Sequence, residues 1–248
     1  GLPINAAKQL HTSMFGRLLS NDVLYRIYEG GELSPSTHYT VNQYLNDLYS
    51  PDQKINYLAD AEFIRFNNGE GKCVIDETVR GHDVYIICDC FNHGVTYKMY
   101  GYENHMSPDD HFQDLKRLIQ AANGKADRIT VIMPSLYGSR QHRRNYRESL
   151  DCAAALQELH AMGVTNIITF DAHDPRVQNA VPLMSIDNVM PTYQVLKCMM
   201  RELTDLQLDR EHFMVVSPDE GAMNRNMYYA SVLGVDLGMF YKRRDYSR

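Results

Sequence analysis

From residue 80 onward, short runs of β-branched and aromatic residues alternate with longer amphipathic stretches, and this alternation restricts the fold more than any other feature of the chain. The pattern predicts strands over 84–88, 129–133, 166–171, 213–217 and 235–241. Between them it predicts helices over 108–122, 147–162, 191–206 and 222–233. Phe112, Leu115, Leu118 and Ile119 fall on one face of the first helix, as helical periodicity requires. Asp109 and Asp110 stand in its first turn, where the helix dipole favours anions. Gly163 closes the second helix at a position suited to a left-handed cap. Strands separated by helices of this length imply βαβ units. The expectation is an α/β fold with parallel sheets flanked by helices. Such sheets bind ligands at the carboxyl ends of their strands.

Residues 1–60 are less regular. Apolar residues at mixed helical spacing over 10–24 and 41–58 flank a Gly, Ser and Pro-rich segment at 30–36. Two or three helices around a turn are expected there, as an unassigned extension.

At 248 residues with 44% hydrophobic and 23% charged, the chain can bury a full core without disulfides or metal. Disorder as the dominant state is excluded by that composition. The apolar runs stay far below the ~20 residues of a membrane span, so no membrane partner is expected. A net charge of -6 argues against a general nucleic-acid binder. It leaves room for a local basic pocket that takes a phosphorylated small molecule. The five cysteines are odd in number and scattered, which predicts reduced thiols and a cytoplasmic protein. Cys88 and Cys90 lack a second close pair, so zinc is not expected.

Chemistry concentrates after the predicted strands. The strand at 129–133 runs into Arg140, Gln141, His142, Arg143 and Arg144. Guanidinium forks suit phosphate oxygens, and a solvated basic loop is the equal competitor. The next strand ends in Asp171, Ala172, His173 and Asp174, where two carboxylates flank an imidazole. Such a set can hold a divalent cation or meet a phosphate, whereas a plain turn is the simpler reading of it alone. Asp219, after the strand at 213–217, suits a helix N-cap or a metal-linked acid. Lys242, Arg243 and Arg244 follow the last strand. Upstream, Phe66, Asn67, Asn68, Gly69 and Glu70 form a hairpin-turn signal in which Phe66 can stack on a base.

In that order and spacing these motifs, with the segment at 77–84, resemble the ribose-phosphate pyrophosphokinase (phosphoribosyl pyrophosphate synthetase) family from about residue 61 to 248. The resemblance implies two type I phosphoribosyltransferase-like lobes, here an N-terminal lobe at 61–188 and a partial C-terminal lobe at 189–248. It implies Mg2+-dependent transfer of the pyrophosphoryl group of ATP to ribose 5-phosphate, in a cytoplasmic homo-oligomer built from dimers, up to hexamers. By position, Phe66, Asn68, Gly69 and Glu70 match the adenine-holding segment, and Arg140, Gln141 and His142 the ATP-binding loop. His173, Asp171 and Asp219 match the magnesium side of the site, and Lys242 and Arg244 the mobile catalytic loop.

The chain also departs from the family pattern. Asn68 stands where the family usually has Asp, His142 where it usually has an acid, Asp174 where it usually has Ala, and Ala222 where it usually has a second Gly. The family continues beyond the Lys-Arg-Arg segment into an acidic Gly/Thr-rich loop for ribose 5-phosphate, so a fragment with an incomplete second lobe is expected. These departures sustain an alternative: a non-catalytic regulatory subunit that associates with an active synthetase. A phosphoribosyltransferase is the weaker third reading, because no residue here names a base acceptor.

Overall fold

The computed structural model describes residues 23–26, 52, 56–122, 124–203 and 205–240. The chain divides into two compact units, Gly1–Met190 and Pro191–Arg248. The first contains strands β1 (Val23–Arg26), β2 (Ala61–Arg65), β3 (Gly71–Ile75), β4 (Asp83–Ile87), β5 (Thr96–Met99) and β6 (Tyr102–His105). Helix α1 (Pro108–Ala122), β7 (Arg128–Met133), helix α2 (Asp151–Ala161), β8 (Val164–Phe170) and β9 (Ser185–Val189) follow. Five of the strands form a parallel sheet in the order β1-β4-β7-β8-β9.

The β-branched runs are buried on both faces. Val84, Ile86, Val131, Met133 and Ile167 point into a core with Leu115, Leu118 and Ile119 of α1 and Leu156 and Leu159 of α2. The alternate positions Tyr85, Thr130 and Ile168 are buried as well. Two-sided burial is why these strands read as near-continuous apolar runs. Helix α1 matches the predicted span. Its start is fixed by a reciprocal cap: Asp110 N–H donates to Ser107 Oγ at 3.1 Å, and Ser107 N–H donates to Asp110 Oδ2 at 2.9 Å.

Two expectations are corrected. Val23–Arg26, which overlaps the end of the 10–24 stretch expected to be helical, is a strand paired with β4, at the sheet's edge among the described residues, and so belongs to the main sheet rather than to an extension. A strand of four residues is too short to show a period of its own. The remaining helical reading of residues 1–60 lies outside the described residues, apart from residues 52 and 56–60, which are not helical. Helix α2 begins at Asp151, not at 147, because residues 143–149 are all exposed and offer nothing to bury. Tertiary packing, more than propensity, decides where such a helix starts. The hairpin β5–β6 was not expected. Its turn residues, Tyr100 and Gly101, both have positive φ, the geometry of a tight two-residue hairpin.

The second unit holds α3 (Thr192–Glu202), β10 (Met214–Ser217), α4 (Met223–Leu233) and β11 (Asp236–Met239). β10 and β11 pair in parallel, so with α4 they form one βαβ unit. Lys242, Arg243 and Arg244 lie outside the described residues. Among the described residues no helix is long and apolar enough to cross a membrane.

All five cysteines are free thiols. Burial pushes the Cys73 thiol up to about 12 and that of Cys152 to about 11, whereas Cys198 is exposed. The thiolate is the reactive form. A thiol-alkylating reagent at neutral pH should therefore modify Cys198 in the native protein and spare Cys73, Cys88, Cys90 and Cys152 until denaturant is added. Mass spectrometry before and after unfolding checks this.

Candidate functional site

β7 and β8 are parallel neighbours, so their carboxyl ends lie side by side. The chain leaves β7 through Pro134 and turns at Gly138, whose φ is 70°. A Cβ at Gly138 would stand 3.1 Å from the Cys152 backbone nitrogen at the start of α2. Glycine thus lets the loop lie against that helix. The loop is also pinned to α1. The Tyr137 ring stacks on Phe112 with centroids 4.2 Å apart, and its hydroxyl donates to Asp109 Oδ1 at 2.6 Å. Burial and the neighbouring Asp109 carboxylate push the Tyr137 phenol well above its ordinary value, so it stays a donor. A single turn of 3-10 helix, Ser139–Gln141, then presents Arg140 and Gln141, both exposed.

The chain leaves β8 at Asp171, which adopts a left-handed conformation with φ 50°. Asp171 N–H donates to the Val189 carbonyl at 3.0 Å, and Ala172 N–H to Asn188 Oδ1 at 2.9 Å. Both bonds tie the turn to the end of β9. His173 follows, exposed, with its N–H donating to Ser139 Oγ at 3.0 Å. The rings of His142 and His173 lie 5.0 Å apart. Asp174 caps the 3-10 helix Pro175–Ala180 and forms an ion pair with Arg176 at 2.6 Å. The Arg176 guanidinium holds the Asp174 carboxyl well below the usual carboxylate range.

Arg140, Gln141, His142, Asp171 and His173 therefore share one rim, on two adjacent strand-end loops joined by Ser139. The sequence pattern did not single out Ser139 or Arg176. Their only signals were a small polar residue beside Arg140 and an Asp-Pro-Arg start to a short helix.

The aromatic turn sits on a different element. Phe66, Asn68, Gly69 and Glu70 close the β2–β3 hairpin, which forms its own two-stranded sheet. Gly69 N–H donates to the Phe66 carbonyl at 2.9 Å with Gly69 at φ 90°. Asn68 Nδ2 donates to Glu70 Oε2 at 2.8 Å. Phe66 is about half exposed, leaving a ring face open. The hairpin is held to α1 through Arg65, whose guanidinium donates to Asp114 at 2.5 Å.

In the second unit, Asp219 Oδ1 accepts from Ala222 N–H at 3.0 Å, the capping geometry anticipated as its simpler role. Among the described residues no three His, Cys, Asp or Glu side chains form a metal cage. Asp171 and His173, at the end of β8, supply one carboxylate and one imidazole, a donor set that suits only a largely hydrated divalent ion such as magnesium.

A family model for the N-terminal domain of ribose phosphate pyrophosphokinase matches residues 36–163. The chain belongs to the ribose-phosphate pyrophosphokinase family. The match begins inside the stretch expected to stand outside it. Curated ribose-phosphate pyrophosphokinases are similar: that of Thermosipho africanus is 30% identical over 191 residues, covering 75% of this chain and 54% of the relative. That of Vibrio cholerae is 31% identical over 193 residues, with the same coverage. The chain thus spans about half the length of the curated pyrophosphokinases it matches. The crystal structure of phosphoribosylpyrophosphate synthetase from Mycobacterium smegmatis shares the fold, with a TM-score of 0.69 and 21% identity over 91% of this chain and 66% of that one. The parallel α/β architecture is therefore the pyrophosphokinase fold.

Proposed function

We propose that the chain is part of an enzyme that transfers the β,γ-pyrophosphoryl group of ATP to the C1 hydroxyl of ribose 5-phosphate. In that reaction the C1 oxygen attacks the β-phosphorus and the bond from the α-phosphate oxygen to the β-phosphorus breaks. AMP leaves with that oxygen, and the hydroxyl proton passes to solvent. The observation that carries this reading is the junction of the Arg140 and His173 loops through Ser139 at neighbouring strand ends. A cation and a metal-compatible imidazole share that rim, as charge neutralisation on a polyphosphate requires.

Arg140 and Gln141 would hold the triphosphate, with His142 beside them. His173 and Asp171 would hold magnesium; for Asp219 the role of a metal-linked acid rests on the family resemblance alone. The ion would supply charge neutralisation between phosphate oxygens. Phe66 would stack on adenine, with Asn68, Gly69 and Glu70 around its edge. Lys242 and Arg244 would meet the charge that builds on the transferred group. The reading includes a cytoplasmic homo-oligomer and ribose 5-phosphate as acceptor.

Incubating the full-length protein with ATP, ribose 5-phosphate and magnesium should release AMP one-for-one with consumed sugar phosphate. ADP in place of AMP would replace this reading with simple phosphoryl transfer. Two substitutions test individual roles. Phe66→Ala should weaken nucleotide binding roughly tenfold, the scale of one lost stacking contact, read by calorimetry. His173→Ala should raise the magnesium needed for half-maximal nucleotide binding by about tenfold; an unmoved metal titration would remove His173 from the metal side.

One contact favours the regulatory alternative. The Asn68 amide occupies one oxygen of Glu70, so the turn offers less negative charge than the family pattern. Under that alternative the protein would co-purify with an active synthetase and release no AMP alone.

A further inference from the structure

We infer that Asp174 is a positioning residue of the strand-end rim, fixing the His142 ring between the two loops and through it the ring of His173. The inference rests on the proposed nucleotide site and concerns how this chain builds it. Asp174 is largely buried, with only 11% of its side chain exposed, whereas its partner Arg176 is 76% exposed. Oδ1 accepts from the Arg176 backbone N–H at 2.9 Å and from Nε at 3.0 Å. Oδ2 accepts from Nε at 3.2 Å and from Nη2 at 2.6 Å, and faces His142 Nε2 at 3.4 Å. The cap and the cation fix the carboxylate before it meets the histidine.

His142 is held at three points. Its Nδ1 lies 3.1 Å from the Ser139 carbonyl, its Nε2 faces Asp174, and its ring leans on His173. Both ring nitrogens face oxygen acceptors. Without the Asp174 carboxylate, Nε2 loses its partner and the ring is free to turn about its terminal torsion, which is intrinsically broad. His173 would then keep its backbone bond to Ser139 but lose the neighbour that sets its ring. A residue that acts through another in this way changes ligand geometry more than it changes folding.

The two positions also explain each other. His142 and Asp174 are both departures from the family pattern, and they meet in space. The acid that the pattern places on the first loop stands here on the second, and the first loop supplies an imidazole to face it. Changing one alone breaks the arrangement. His142→Asp would set two carboxylates against each other, and Asp174→Ala would leave the imidazole without its acceptor. Changing both together moves the acid back across the junction.

A double-mutant cycle on the full-length protein tests this. H142D, D174A and H142D/D174A would be titrated with Mg–ATP by calorimetry, and their thermal melting followed without ligand. D174N, which keeps the shape and a cap acceptor, stands in should D174A not fold. Each single change should weaken Mg–ATP binding at least tenfold, and the double variant should return to within about threefold of wild type. Losses that simply multiply in the double variant, or that follow the fall in melting temperature, would overturn the inference and leave the proposed function intact. A wild-type protein that binds no Mg–ATP would instead defeat the proposed function. The inference, which rests on that site, then falls with it.

Discussion

Asp114→Ala should lower the stability of the protein by about 3–5 kcal/mol, the cost of leaving buried charges without their partner. Asp114 sits on α1 with its side chain 2% exposed, and its two oxygens meet the guanidinium groups of Arg65 and Arg117. Arg65 is 13% exposed and also lies over the Tyr97 ring, 5.0 Å from its centroid. Gly71 completes the arrangement, because a Cβ there would collide with both guanidinium groups. Removing the carboxylate leaves two cations facing each other in a poorly solvated pocket, which water cannot easily repair. Arg65 is the residue before Phe66, so the turn proposed to hold adenine is anchored through this same carboxylate. Urea unfolding should show the loss in the midpoint with little change in slope. A loss below about 1 kcal/mol would mean the pair behaves as a solvated one.

Lys242→Ala should lower turnover by ~10³-fold or more while nucleotide affinity changes little. The scale is that of a cation supplied to a transferring phosphoryl-type group. Interactions made only in the transition state lower kcat without weakening ground-state binding. The expectation follows from the proposed reaction and from the position of Lys242 in the Lys-Arg-Arg segment. Single-turnover rates set beside calorimetric ATP binding would check it. Equal losses in rate and affinity would make Lys242 an ordinary binding residue.

What could be read in the sequence was what local chemistry dictates. The β4 and β7 strands were legible as short, near-continuous apolar runs, and helix α1 because its apolar residues recur at helical spacing and it carries its own cap at Ser107 and Asp110. The start of α2 was not, since Arg147 and its neighbours are compatible with a helix and only the lack of a buried face stops it there. β1 was missed because a short edge strand takes its structure from β4. At the site, strand-end position pointed to the Arg140 and His173 loops, and the fold rule for parallel sheets explains why. The partnership of His142 with Asp174 was not legible, because they lie 32 positions apart in the chain. Read singly, one was a basic-loop residue and the other part of an Asp-Pro turn. Their relation exists only once β7 and β8 pair.

The most direct test is a crystal structure of the full-length protein with a non-hydrolysable ATP analogue and magnesium. The triphosphate should lie at the junction of the two loops, with Arg140 within hydrogen-bonding distance, about 3 Å, of a phosphate oxygen and His173 on the magnesium side. A nucleotide bound elsewhere, with Arg140 and His173 both facing bulk solvent, would contradict it.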